Sequence, residues 1–221
     1  MESPIIEAYI GEYASGKSEN AVNRALWLRE QGRSVTLVDL DMVEPFYTLR
    51  PIKKKLEDMG ITVLAWESRK TMGLGEAGSI IKPELRWVLR RSGDLVLDIG
   101  YGVEGAKTLN LVHGVEDNPY LKVYAVINVS RPMTSTLEDI VDYIRSLGRV
   151  DGIVNNTHLG HETDIEVIQN GAKIVAKAAL KLNLPVIFTA AEKRHQPILG
   201  DVDCMGNQLF YIERFMSEAF W

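Results

Sequence analysis

The chain's 221 residues, 46% hydrophobic and 25% charged, suit one globular domain with a sizeable core and exclude a chain disordered over most of its length. A net charge of -5 offers no basic field for a polyanion, and no apolar stretch approaches the ~20 residues of a membrane-spanning helix. The one cysteine, Cys204, forms no internal disulfide, and the start of the chain lacks the pattern of a signal peptide, so the expected compartment is the cytoplasm.

Short β-branched runs alternate with segments of helical period, which predicts crossover units on a parallel sheet. The expected strands are Ile5–Ile10, Ser34–Leu40, Ile61–Ala65, Asp94–Ile99, Lys122–Asn128, Gly152–Asn155 and Pro185–Thr189. Helices are expected over Lys17–Glu30, Tyr47–Met59, Pro83–Arg91, Gly105–Val115, Ser135–Leu147 and Asp164–Leu182, with a further helix from Gln208 to Trp221. This is an α/β, three-layer arrangement around a mainly parallel sheet of about seven strands. No repeat or Pro/Ser-rich linker divides the chain, so a single nucleotide-binding domain over residues 1–221 is expected.

Between the first strand and the first helix lies GEYASGKS, which fits G-x-x-x-x-G-K-[ST] without a mismatch. In such a loop Gly11, Glu12, Tyr13, Ala14, Ser15 and Gly16 wrap phosphate with successive N–H groups, and the following helix N-terminus adds partial positive charge. Lys17 is expected to reach the β/γ-phosphates and Ser18 to supply a hydroxyl to Mg²⁺. The alternative is a Gly-rich turn that merely joins strand to helix; motif and context together argue against it.

Acidic residues stand at the carboxyl ends of two strands, in VDLDMVEPF and LVLDIGYGVEGA, the edge that carries the ligand crevice in open α/β sheets. Asp98 is the Walker-B candidate, and Asp39 and Asp41, two apart on an extended segment, face one side toward a metal or its water. Capping of a following loop is the other reading of these carboxylates.

With these motifs in this order, the chain resembles the MinD/ParA and CobQ/CobB-related, SIMIBI-class branch of P-loop nucleotide-binding proteins, from about Pro4 to Pro197. The resemblance implies that Asp41, the second acid of the D-x-D segment, positions an attacking water. Asp98, Gly102, Glu104, Gly105 and Ala106 look like the family's acidic stretch, with Gly100 in place of a proline. GIVNN resembles the family's G-x-x-x-N, which makes Asn156 the expected base-binding amide, with Asn155 the neighbouring alternative. The loop from Thr189 to Pro197 corresponds to the second wall of the base pocket. One departure matters: Glu12 stands where dimerising members carry a second lysine, and a carboxylate cannot act as a cation on a neighbour's phosphates.

Asn156-Thr157-His158-Leu159 lacks the carboxylate of a guanine-reading Asn-Lys-x-Asp, which favours adenine; the expected ligands are ATP and Mg²⁺. His158 and His161, beside Glu162, Asp164 and Glu166, invite a metal reading, but no further ligand pair completes a site. The glycine-rich segment Trp66–Ser79, with Arg69 and Lys70, and Arg131 beyond the fifth strand are candidates to meet a second, anionic substrate; a solvated surface is the plainer reading. The leading function is a regulatory or accessory Mg-ATPase. An ATP-dependent small-molecule kinase or ligase and a non-hydrolysing nucleotide sensor are the alternatives. A homodimer or a protein partner is expected beside the nucleotide, with no nucleic acid and no membrane surface.

Overall fold

The computed structural model describes residues 3–41, 49–65 and 83–216. Eight strands form one sheet: β1 (Ile6–Gly11), β2 (Val35–Leu40), β3 (Thr62–Leu64), β4 (Asp94–Ile99), β5 (Leu121–Ile127), β6 (Gly152–Asn155), β7 (Val186–Glu192) and β8 (Leu209–Ile212). Their order is β3-β2-β4-β1-β5-β6-β7-β8, and every pairing is parallel. The helices are α1 (Lys17–Glu30), α2 (Lys53–Asp58), α3 (Pro83–Arg86), α4 (Gly102–Lys107), α5 (Leu137–Ser146), α6 (Ile165–Leu182) and α7 (Gln196–Leu199).

All residues of β1, β2 and β4 are buried, as in strands covered on both faces, and the charged members Glu7, Asp39, Asp94 and Asp98 are buried with them. On one face Tyr9, Leu37, Val96 and Val126 pack against Ala21, Val22, Ala25 and Leu28 of α1 and Leu56 of α2. On the other, Ala8, Ile10, Val38, Leu97 and Ala125 meet Leu109, Ile140, Ile144 and Val175. Two cores on one sheet make three layers. Thr136 and Asp139 close a capping box on α5, and the Asp164 carboxylate caps α6 by accepting from Val167 N at 2.8 Å, which fixes where each helix starts.

The seven expected strands are present, and the structure adds an eighth. Leu209–Ile212 lies parallel to β7, with Thr189 opposite Leu209 and Glu192 opposite Ile212, where a helix from Gln208 was expected. The aromatic and β-branched run Leu-Phe-Tyr-Ile favours a strand once an edge is offered, and tertiary pairing overrides a helical apolar spacing in so short a segment. Residues 217–221 of that expected helix lie outside the described residues. The stretch expected as a helix over Pro83–Arg91 breaks into α3 and a one-turn 3-10 helix, Val88–Arg90. That over Gly105–Val115 becomes α4 and a turn of 3-10 helix, Thr108–Leu111. Trp66–Ser79 with Arg69 and Lys70, and the first part of Tyr47–Met59, also lie outside the described residues.

Candidate nucleotide site

Gly11 closes β1 and Lys17 opens α1, so the phosphate-type loop sits at the carboxyl edge of a central strand. Both glycines are required by space. A Cβ on Gly11 would lie 2.5 Å from the Val126 carbonyl oxygen, and one on Gly16, at φ +86°, 2.0 Å from Asn156 Nδ2. Ala14 adopts φ 55°, which costs an L-residue about 1–2 kcal/mol. Its carbonyl is held by Asn128 Nδ2 at 3.4 Å and Arg131 Nε at 3.3 Å. Gly16 gives α1 no side-chain cap, in contrast to α5 and α6, so the partial positive charge of the helix start faces the loop. Lys17 is buried, and its ammonium donates to the Glu12 carbonyl at 3.1 Å. The Glu12 carboxylate turns back onto Tyr13 N at 2.9 Å.

The strand register places the acids. Asp39 pairs with Asp98 across β2 and β4, and Asp98 with Tyr9 across β4 and β1, which sets both carboxylates level on the α1 face. Asp39 Oδ1 accepts from Asp41 N at 3.0 Å, and its Oδ2 lies 3.7 Å from Arg50 Nε. Asp41 is buried beside it. Asp98 has no exposed surface, and neither carboxylate oxygen receives a well-formed hydrogen bond. Burial first, then the Asp39 and Asp41 charges, push its pKa up to about 8, against the Ser18 hydroxyl and the Lys17 ammonium. A buried acceptor without a donor, next to the Ser18 hydroxyl, fits the hydrated shell of a divalent cation. Among the described residues no group of three His, Cys, Asp or Glu side chains is arranged to hold a metal by itself, so such an ion would depend on phosphate oxygens.

A cavity of about 50 Å³ opens beside Gly16, walled by Glu19, Asn156, Thr157, His158, Ala190, Ala191, Glu192, Ile212, Arg214 and Met216. It joins the segment after β6 to the segment ending β7, the two segments between which a base pocket was expected. Asn156 lines it and donates Nδ2 to the Ser15 carbonyl at 2.7 Å. Asn155 points elsewhere, into a buried chain: its amide donates to Thr189 Oγ1 at 3.2 Å, and Thr189 Oγ1 donates to Asp203 Oδ2 at 2.6 Å. His158 Nδ1 accepts from Gly160 N at 3.2 Å. Burial, and then Arg131 and Arg214, lower its pKa to about 4, so its ring is neutral at pH 7. Glu162, Asp164 and Glu166 are exposed, and Glu104 is exposed and paired with Lys107 at 2.5 Å. A larger cleft of about 1000 Å³, lined by Arg33, Arg90, Asp94 and His113 among others, lies at the amino-terminal ends of the strands, away from the loop.

Sequence reasoning passed over Asn128. It is fully buried at the end of β5, accepts from His158 N at 3.2 Å and donates to His158 O at 3.2 Å, besides its bond to Ala14. One amide thus ties the phosphate loop to the base-pocket loop. A polar residue directly after a run of buried apolar ones was the available signal. Glu19, Glu192 and Arg214 were also missed as pocket residues.

No protein-family model and no characterised protein sequence matches the chain. Solved structures do. The fold is similar to that of the cell division protein FtsY from Thermotoga maritima, with 18% identity, 87% of this chain and 63% of that chain covered, and a TM-score of 0.59. It is also similar to the signal recognition particle receptor FtsY from Elizabethkingia anophelis in complex with GDP, with 14% identity, 89% and 59% coverage, and a TM-score of 0.61. A third likeness is to FlhF complexed with GTP/Mg(2+), with 11% identity, 85% and 66% coverage, and a TM-score of 0.53. The chain spans less than two thirds of each of these proteins. At such identities the likeness establishes the fold alone, a three-layer α/β arrangement around a parallel eight-stranded sheet. No described helix is long and apolar enough to cross a membrane.

Proposed function

We propose that the chain binds a Mg-nucleoside triphosphate on the loop Gly11–Ser18 and hydrolyses it as a regulatory or accessory NTPase. The observation that carries this reading is the conjunction of a complete G-x-x-x-x-G-K-S loop leading into an uncapped α1 with a fully buried Asp98 on the neighbouring strand, beside the Ser18 hydroxyl; the Asp98 carboxylate oxygens receive no well-formed hydrogen bond. The loop N–H groups and Lys17 hold the phosphates, and Ser18 and Asp98 hold Mg²⁺, with Asp39 behind them. The bound ion would neutralise charge on the phosphate oxygens. Asp41, by resemblance to the MinD/ParA and CobQ/CobB branch, orients the water.

Adenine is the base that the Asn156-Thr157-His158-Leu159 run favours, because no carboxylate follows Asn156. A guanine reading has support of its own: Glu192 lines the same pocket and can accept from a purine N–H edge, while similar folds have been solved with GDP and with GTP/Mg(2+). The kinase or ligase alternative draws on Arg131, whose Nε is anchored on the loop at Ala14. Calorimetry of parent and Lys17→Ala with ATP, GTP, ADP and adenosine tests the reading and separates the bases. The variant should lose at least tenfold in triphosphate affinity and little in nucleoside affinity. Equal losses for all ligands would mean that the loop is not a phosphate cradle.

A further inference from the structure

We propose that the segment Ile212–Met216, with Arg214 at its centre, is the base-selecting wall of this pocket and is registered against the phosphates by Glu19 and Asn23 of α1. The inference rests on the nucleotide reading above and adds to it the element that reads the purine.

Beyond β8 the chain runs across the first turns of α1. Glu213 N donates to Asn23 Oδ1 at 2.8 Å, and Asn23 Nδ2 donates to the Glu213 carbonyl at 2.8 Å. This reciprocal pair copies one rung of a strand ladder with a side-chain amide. The Glu19 carboxylate accepts from Phe215 N at 3.0 Å and from Met216 N at 2.7 Å. Residues four apart on a helix share a face, so Glu19 and Asn23 together present a rail to which the passing backbone is fastened. Lys55 lies over the Phe215 ring at 4.5 Å, and Lys193 pairs with Glu213 at 2.5 Å. The wall is therefore attached to the same helix whose start forms the end of the phosphate loop, and the distance from base to phosphate is set within one rigid element.

Arg214 and Met216 line the cavity together with Asn156 and Glu192. Arg214 Nη1 lies 3.3 Å from the His161 ring nitrogens, and no described carboxylate lies within 4.0 Å of its guanidinium, whereas Lys193 and Arg194 nearby are paired with Glu213 and Glu192. A guanidinium offers planar, directional donors. In this cavity they match the acceptor edge of a purine, N7 in either base and O6 as well in guanine. Met216 supplies apolar, polarizable surface to the ring.

The test uses the whole chain with ATP, GTP, adenosine and guanosine as probes. Arg214→Ala should weaken a bound nucleoside and its triphosphate by a similar factor, on the order of tenfold, and leave the triphosphate-to-diphosphate ratio unchanged. Lys17→Ala should do the reverse. Asn23→Ala should speed amide exchange at Glu213, Phe215 and Met216 in the free protein. In the parent, saturating nucleoside should slow exchange at those amides, because binding and wall docking are linked. Parent-like affinities of Arg214→Ala for every probe, or exchange at 213–216 that ignores bound nucleotide, would overturn this inference while leaving the phosphate site standing. A parent that binds neither ATP nor GTP would overturn the nucleotide reading itself. Arg214→Lys, which keeps charge and stem but loses the planar donors, should behave like Arg214→Ala; full recovery by lysine would show that charge alone suffices and the planar readout is wrong.

Discussion

Asp98→Asn should make the ligand-free protein more stable at pH 8 and less responsive to magnesium. The Asp98 pKa is raised by burial and by Asp39 to about 8, far above an ordinary carboxylate. A raised native pKa contributes stability that is complete below the unfolded value and disappears as pH climbs toward the native value. By pH 7 the loss amounts to roughly 4 kcal/mol, because the unfolded chain gains by ionising Asp98 and the folded chain does not. An asparagine removes this penalty and leaves a buried amide unpaired, at a cost of about 1–3 kcal/mol. The net gain at pH 7–8 is then roughly 1–3 kcal/mol, or on the order of 5 °C in Tm for a chain of this size. Melting curves of both proteins from pH 5 to pH 8 read the difference for the acidic cluster of Asp98, Asp39 and Asp41 as a unit, and titrations of groups remote from it cancel. The gap should grow with pH, and added Mg-ATP should raise the parent's Tm more than the variant's. A gap independent of pH, or a parent that remains the more stable protein at pH 8, refutes a carboxylate held without donors.

Three further outcomes are expected. Asn156→Ala should reduce discrimination between ATP and GTP and weaken both by roughly 5–30-fold, since it loses the pocket amide and the brace on Ser15; competition binding measures this, and an unchanged ratio moves base reading to Glu192 and Arg214. Asp41→Asn should retain Mg-nucleotide affinity and lose at least 100-fold in single-turnover hydrolysis; parent-rate hydrolysis returns the water-positioning role to Asp39. His158, with its pKa lowered to about 4 by burial, stabilises the fold above pH 6.5, and this contribution falls as pH drops toward 4. His158→Gln should therefore lose less stability than the parent between pH 7 and pH 5, by about 2 kcal/mol in urea denaturation; identical acid profiles would place a protonated imidazole there.

The parts of this molecule legible in the sequence are those written in consecutive residues. The strands of the central sheet announce themselves as apolar runs, and the loop from Gly11 to Ser18 as a contiguous motif whose spacing is dictated by phosphate geometry. Asp39 and Asp98 were placed on one edge because strand ends in a parallel sheet collect there, and the register sets them side by side. The pocket wall was not legible. Arg214 and Glu19 line one pocket only because β8 pairs with β7, and β8 has four residues, too few to outweigh the helical spacing of the aromatics around it. Asn20 and Asn23, buried on α1, held a clue, since an amide on an inward helix face must find partners. Nor does any sequence pattern show that the Asp98 carboxylate lacks a donor, because that depends on which side chains fail to reach it.

Asn23 and Glu213 are 190 positions apart, and this separation has a consequence for the growing chain. At a synthesis rate of about 5–20 residues per second, roughly 10–40 s pass between the appearance of the phosphate loop and that of the wall that closes its pocket. Once Asn128, Arg131 and Asn156 have emerged to brace the loop, the nascent protein carries the proposed phosphate loop and Asn156 but not yet the Arg214 wall. If Arg214 selects the base as proposed, full selectivity is a late acquisition, completed when the edge strand docks. Ribosome-bound chains in which Glu192 has cleared the exit tunnel and residue 209 has not should bind triphosphate analogues with weaker preference among bases than chains in which the segment 212–216 has also cleared it.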